Sequence, residues 1–238
     1  MSAVQKLRGR VYLRDGAIQP CEMEDDGRFL MRGDDQAWHL LLIDGTRDVI
    51  GCARYLVHSN TVPYERLRIS HSALARDTRW GSQVREAVEA DLALARANAS
   101  PYVELGGWAL AEEWRNTRAA LEILVGSYAL SQLAGWGVGA CTATVRHGSS
   151  SMLRRIGGTS LSVRGQELPE YDDPQYGCKM ELLRFDAKTH ASRFTGLISQ
   201  LKAKLAESVA ITPKAEHERV LVPEWGRLNL LRMAPLHY

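Results

Sequence analysis

The sequence predicts a mixed α/β fold, of the α+β type, with a mostly antiparallel central sheet and one strand–helix–strand crossover. Two observations carry this prediction. Short β-rich runs at residues 39–43 and 49–57 flank a turn at 44–48, which is typical of an antiparallel hairpin. Two later β-rich runs, at 102–110 and 139–145, enclose the strongest helical pattern of the chain, and that order requires a parallel crossover.

The N-terminal 36 residues show no sustained hydrophobic period, and we predict an irregular segment over 1–36. Within this segment, residues 10–13 indicate a short strand that runs into a tight turn at Asp15 and Gly16. We assign the core of the domain to 37–186. Residues 187–238 then provide a C-terminal helix and a tail packed on that core.

The connection between the runs at 49–57 and 102–110 is about 40 residues long, which is too long for a structureless loop. Ser82 is a candidate N-cap, and Asn98 with Pro101 closes the segment. Between them the apolar residues recur at helical spacing: Val84, Ala87, Val88, Leu92 and Ala95. We therefore predict an extra helix inserted between the third and fourth strands.

The crossover helix is predicted over 116–136, with Asn116 or Thr117 as its cap and Gly135 near its end. The remaining elements follow in a simple order: a short helix at 149–156 ended by Gly157, strands at 161–163 and 180–185, and an amphipathic helix at 192–209. From Ile211 onward the tail shows no clear period.

Composition excludes several classes of protein. Lys+Arg 30 against Asp+Glu 28 leaves a net charge of +2, which argues against a nucleic-acid coat or a polybasic membrane anchor. The chain has four scattered cysteines and no C-x-x-C pair, which suits reduced thiols and excludes a zinc ribbon. No apolar run reaches membrane-spanning length, and we expect a cytoplasmic protein.

The seven histidines give no metal-site pattern, because none stands at H-x-x-x-H or a similar spacing. His39, His58 and His71 lie in or just after the first hairpin. We predict neither a metal site nor a permanently bound cofactor.

The start of the crossover helix is a candidate anion site. Its first backbone N–H groups, at Thr117, Arg118 and Ala119, have no partner within a helix. The side chains of Arg115 and Arg118 add two guanidinium groups at the same end. This pattern favours a phosphate or pyrophosphate. The alternative is an ordinary capped helix with two solvated arginines.

The same junction resembles the acyl-CoA loop of the GCN5-related N-acetyltransferase superfamily, which reads Arg or Gln, two residues, Gly, one residue, Gly or Ala, then an apolar helix. Arg115 and Ala120 occupy its first and last positions, and Arg118 replaces its first glycine. This resemblance implies a donor site formed by Arg115, Asn116, Thr117, Arg118, Ala119 and Ala120, with backbone N–H groups of Trp108, Ala109 and Leu110 holding the thioester oxygen and the pantetheine amide.

Within that superfamily the chain is most similar to the autoinducer (acyl-homoserine-lactone) synthases and the long-chain N-acyl amino acid synthases. Residues 34–41 followed by 49–56 resemble their acidic pair, apolar strand, turn and V-V-G-C-x-R-L-L stretch, and 152–157 resembles their L-x-R-x-G-F helix end. Gly107 stands where autoinducer synthases carry arginine, which argues against a homoserine lactone product. Leu153 stands where many small-molecule acetyltransferases carry a tyrosine acid.

The resemblance implies an enzyme that moves an acyl group from an acyl-carrier-protein or CoA thioester to an amine, most simply an amino acid. The donor acts as a co-substrate, and an acidic carrier protein is an expected partner. Five arginines are candidates for its docking face: Arg115, Arg118, Arg146, Arg154 and Arg155. We expect a long acyl chain, because the apolar face of the inserted helix can floor a pocket for it.

Glu104 is the predicted catalytic base, since a carboxylate beside apolar neighbours on a strand can accept the proton that the amine must lose. The alternative is a carboxylate paired with an arginine. Arg54 is predicted to orient such a carboxylate, either Glu104 or Asp34. Two rival functions stay open: a catalytically silent module of this fold that binds an acyl ligand or a partner, and an ordinary acetyl-CoA-dependent N-acetyltransferase.

Overall fold

The computed structural model describes residues 1–207, 210–211 and 227–232. It confirms a mixed α/β fold. Its chain divides into two compact units, one built from Met1–Leu56, Gly107–Leu130 and Gly196–Tyr238 and the other from Val57–Gly106 and Ser131–Thr195. Across the described residues there is no helix that is long and apolar enough to span a membrane.

The first unit begins with a helix in place of the predicted irregular segment. Helix α1 spans Ser2–Arg14, so the strand predicted at 10–13 is wrong. Val4, Leu7 and Val11 recur at helical spacing on its buried side. Burial of this face favours the helix over the β-propensity of a few residues.

The sheet of the first unit includes the predicted hairpin. Strand β1 (Trp38–Ile43) pairs antiparallel with β2 (Val49–His58), and Leu40 lies opposite Ala53. Strand β11 (Arg227–Arg232) pairs antiparallel with the other edge of β1, and β10 (Ala210–Ile211) pairs parallel with β11. The tail without a period therefore contributes strands, while 208–209, 212–226 and 233–238 lie outside the described residues.

The second unit includes the inserted helix. A short helix α2 (Ala73–Arg76) precedes α3 (Gly81–Ala97), whose C-cap is Asn98 as predicted, although Trp80 rather than Ser82 is its N-cap. Because the first predicted strand is a helix, this insertion lies between the second and third strands. The third, β3, spans Tyr102–Leu110.

The apolar face of α3 belongs to a closed core, so it is not the floor of a ligand pocket. Val84 and Val88 are fully buried in the same hydrophobic cluster as Tyr102 and Leu182. With these side chains already enclosed by protein, the expectation of a long acyl chain loses the physical support that this helix gave it.

The crossover is confirmed in detail. Helix α4 spans Arg118–Leu133, and β4 spans Val138–Thr144. Strands β3 and β4 pair in parallel at three positions, from Val103 opposite Gly139 to Leu105 opposite Cys141. Beyond Leu105, β3 continues for the residues up to Leu110.

The remaining elements complete the two units. Strand β4 pairs antiparallel with the long strand β9 (Cys178–Asp186). Helices α5 (Ser149–Ile156) and α6 (Thr195–Ala206) and strand β6 (Ser162–Val163) lie where the sequence predicts a helix, a helix and a strand. Three short strands are not predicted from the sequence: β5 (Thr159–Ser160), β7 (Gln166–Glu167) and β8 (Tyr171–Asp173). Strands β5 and β8 pair with β9, and β6 pairs with β7.

Candidate functional site

Glu104 on β3 is held by three hydrogen-bond donors within the second unit. The backbone N–H of Ile69 donates to its Oε1 at 2.8 Å, and that of Arg68 donates to its Oε2 at 3.0 Å. His58 Nε2 lies 2.9 Å from the same Oε2. The carboxylate therefore connects the end of β2 with the segment that precedes α2.

The local chain explains this arrangement. Residues Arg68–His71 form a short 3₁₀ turn, and Leu67 before it is extended. The first N–H groups of a helical turn have no partner within it, so Glu104 satisfies the N–H groups of Arg68 and of the buried Ile69. The hydrogen bonds from Arg68 and Ile69 also hold the Glu104 carboxylate next to His58.

The contact with His58 is absent from the sequence prediction. Because His58 and Glu104 are 46 residues apart in sequence, no local spacing indicates the pair. Glu104 is 8% exposed and the His58 side chain is 20% exposed, so the imidazole is the more accessible partner.

Asp34 in the first unit is the centre of a buried charge cluster. Arg8 of α1 donates to both of its carboxylate oxygens, one of them from Nη1 at 2.9 Å, and Arg54 Nε lies 3.2 Å from its Oδ1. Of the two partners predicted for Arg54, the structure shows Asp34. Burial alone raises the pKa of Asp34, but Arg8 and Arg54 outweigh it and hold that pKa below 3.8.

Gly107 gives this cluster room. Its φ of +61° lies in the left-handed region, and a Cβ there would sit 2.9 Å from the Arg54 Cβ. An added side chain would also approach Arg8 Nη1 to 3.5 Å. A Cβ at this position would clash with Arg54, and the left-handed backbone would strain any residue with a side chain.

At the start of α4, both predicted phosphate-binding arginines contact carboxylates. Arg115 Nη2 lies 2.6 Å from Asp15 Oδ2, and Arg118 Nε lies 2.8 Å from Glu122 Oε1 one turn along the helix. The Thr117 hydroxyl accepts from the Ala119 N–H at 3.2 Å, so that N–H is capped and the expectation that it is free is wrong. Asn116 has a φ of +59°, which turns the chain into the helix.

The second half of β3 lies beside β2 within the first unit. The Ala111 N–H donates to Ile50 O at 2.8 Å, and the Cys52 thiol donates to Gly107 O at 3.5 Å. Ala109 is buried, whereas Trp108 and Leu110 are half-buried. Their role as backbone donors to a thioester stays a prediction, as does the anion role of residues 115–120.

A cleft of about 470 Å³ lies in the second unit at the start of α5. Its polar lining centres on Glu181 of β9, which accepts hydrogen bonds from Ser150, Ser160 and Arg154. Burial raises the pKa of Glu181, but these donors outweigh it and leave the pKa below 4.5. Arg154, one of the five arginines predicted to face a carrier protein, therefore pairs with the Glu181 carboxylate.

Comparison with solved structures identifies the fold. The N-acyl amino acid synthase FeeM from uncultured soil microbes matches with a TM-score of 0.51 and 10% identity, over 78% of this chain and 89% of that one. The CoA-dependent acyl-homoserine lactone synthase BjaI, solved with SAM and isopentyl-CoA, matches with a TM-score of 0.54 and 12% identity, over 85% and 81%. The acyl-homoserine lactone synthase LasI gives a TM-score of 0.51 and 12% identity, over 79% and 82%.

These matches show that the chain has the fold of such acyl synthases, as its sequence motifs predict. No protein-family model matches the chain, and no curated protein matches it by sequence. At 10–12% identity, these matches establish a likeness of fold.

Proposed function

We propose that this protein is an N-acyltransferase that moves an acyl group from a thioester to an amine. The observation that carries the proposal is the fold it shares with an N-acyl amino acid synthase and two acyl-homoserine lactone synthases over more than three quarters of the chain. The Glu104–His58 pair adds titratable groups to this framework, and acylation of an amine requires a proton acceptor.

The co-substrates we propose are an amino acid as acceptor and an acyl-carrier-protein or CoA thioester as donor, carrying a long acyl chain. The acceptor follows FeeM, which is by name an N-acyl amino acid synthase, and the CoA alternative follows BjaI, which binds isopentyl-CoA. A carrier-protein donor rests on Arg118, Arg146 and Arg155, which are exposed, whereas Arg115 and Arg154 are held by Asp15 and Glu181. We place the reaction in the cytoplasm, where such thioesters are made.

The test is a matrix of donors and acceptors. The purified protein is supplied with acetyl and dodecanoyl groups, each on coenzyme A and on a carrier protein, together with pooled amino acids. Release of free thiol gives the rate, and mass spectrometry identifies the amide. The chain-length proposal predicts that dodecanoyl donors exceed acetyl donors by about a hundredfold, a ratio that a few methylenes buried outside the closed core around α3 would supply at about 0.8 kcal/mol each.

Each other outcome identifies a rival. Equal rates with acetyl-CoA would contradict the chain-length proposal and favour an ordinary acetyltransferase. No turnover with any donor, together with an acyl ligand that co-purifies with the protein, would contradict catalysis and favour a silent binding module.

A further inference from the structure

We propose that His58 is the base that accepts the proton of the attacking amine, and that Glu104 is a positioning residue acting through His58. This inference deepens the proposed acyltransfer function and rests on it. It changes the assignment made from sequence, where Glu104 itself is the base and His58 has no role.

The hydrogen bonds of Glu104 argue against direct proton transfer to its carboxylate. A carboxylate has about four acceptor positions, and three of them hold the N–H groups of Ile69, Arg68 and His58. A proton on Glu104 would have to reach the remaining position of a side chain that is 8% exposed.

The same geometry determines the tautomer of His58. An ionised carboxylate only accepts hydrogen bonds, so the Nε2 atom 2.9 Å from Glu104 must carry a hydrogen. In the neutral imidazole the lone pair then lies on Nδ1. A carboxylate that fixes one ring nitrogen as the donor leaves the other as the base, an arrangement that recurs in unrelated enzymes.

His58 alone can both accept and return the proton that the reaction transfers. The amine nitrogen attacks the thioester carbonyl carbon and forms the C–N bond, and the proton that it loses passes to His58 Nδ1. The tetrahedral intermediate then breaks its C–S bond, and the imidazolium returns the proton to the leaving thiolate. No separate acid is needed, which fits the buried Leu153 at the position where a tyrosine acid is otherwise expected.

The competing interpretation is structural, since the His58–Glu104 contact also ties the end of β2 to β3. His58→Gln separates the two interpretations. The glutamine amide can still donate to Glu104, but it offers no titratable nitrogen in place of Nδ1. The matched control is His71→Gln, at an exposed histidine of the neighbouring turn.

We expect His58→Gln to lower kcat/KM by about 10²–10⁴ and to remove the acidic limb of its pH profile, with a melting temperature within about 2 °C of the unaltered protein. His71→Gln should change neither. Added imidazole should restore part of the rate of His58→Ala, because it replaces the missing base.

Three results would overturn the role of His58: a His58→Gln rate within about threefold of the unaltered protein, a lost rate with an unchanged acidic limb, or an Nδ1–H tautomer. The tautomer is measured by nitrogen NMR of the ring on the unaltered protein without substrate, so folding of the variants does not affect it. Absence of turnover by the unaltered protein would contradict both this role and the proposed function. Turnover that does not depend on His58 would contradict this role alone.

Discussion

At the scale of single residues, two buried guanidinium groups share one carboxylate. Arg8 and Arg54 are almost completely buried, and both contact Asp34. Gln5 Nε2 adds a hydrogen bond at 3.3 Å, and the Met31 N–H adds one at 3.2 Å. A cluster of this kind contributes to stability only while the carboxylate is present, because an unpaired buried cation is far more costly than the pair is favourable.

Asp34→Asn should therefore lower the free energy of unfolding by about 3 kcal/mol or more, since it removes the negative charge between two buried arginines. Urea-induced unfolding at neutral pH measures the change. The matched control is Asp35→Asn, one residue further along and half-buried, which should change the free energy by less than about 0.5 kcal/mol. Equal effects from the two variants would contradict the central role of Asp34.

At the scale of secondary-structure elements, α1 shows how a buried face decides a local conformation. Its sequence contains the β-favouring run at 10–13, yet the chain is helical from Ser2 to Arg14. The three apolar residues on its inner side are buried, and Arg8 on the same helix reaches Asp34.

Leu7→Ala tests the contribution of this helix. Leu7 is 1% exposed, and its replacement should lower the free energy of unfolding by about 2–5 kcal/mol through lost burial and a residual cavity. Leu13→Ala on the same helix is the control, because Leu13 is 37% exposed. Chemical denaturation of both variants gives the comparison, and similar losses would mean that α1 does not pack through Leu7.

The start of α4 permits a second test at this scale. If Arg118 binds the donor phosphate, Arg118→Gln should raise the KM of the donor about tenfold, equivalent to about 1.4 kcal/mol. Its melting temperature should hardly change, because Arg118 is 68% exposed and exposed ion pairs contribute little.

Arg85→Gln is the matched control for this test, because Arg85 also pairs with a glutamate one turn along its helix. It should leave the KM unchanged. A KM that Arg118→Gln does not alter would move the donor site away from the start of α4.

At the scale of the whole molecule, the pH dependence of stability should reflect the protonation of His39. His39 is fully buried, and burial lowers its pKa to about 4. Asp34 raises this pKa, whereas Arg8 and Arg54 lower it further. Its Nε2 donates to Asp34 O at 3.0 Å. The unfolded chain therefore binds a proton near pH 6.5 that the native protein does not bind until about pH 4.

Stability should consequently fall as the pH drops from 6.5 to 4, by about 3 kcal/mol from His39 alone. Urea midpoints across this range measure the effect. The variant His39→Gln keeps a donor for Asp34 O and has no titration, so its stability should depend less on pH. A steeper dependence in His39→Gln would contradict this assignment. Below pH 4, protonation of Asp34 should remove further stability, because its pKa also lies below the unfolded value.

The sequence by itself determined the elements whose signals are local. The hairpin of β1 and β2, the inserted helix α3 with its Asn98 cap, and the parallel pairing of β3 with β4 all follow from apolar periodicity, turn residues and the order of elements. The motif resemblance also led to the fold, because an ordered set of weak motifs constrains topology more than each motif does alone.

Only the tertiary structure decided which distant groups meet. Helix α1, strand β11 against β1, and the His58–Glu104 contact each depend on a partner far along the chain. The same holds for Arg54: the sequence leaves two carboxylates as possible partners, and the structure shows that Arg54 pairs with Asp34. Local periodicity reports which face of a segment is apolar, but a hydrogen bond between residues 46 apart is selected by packing and burial, which no short window of sequence contains.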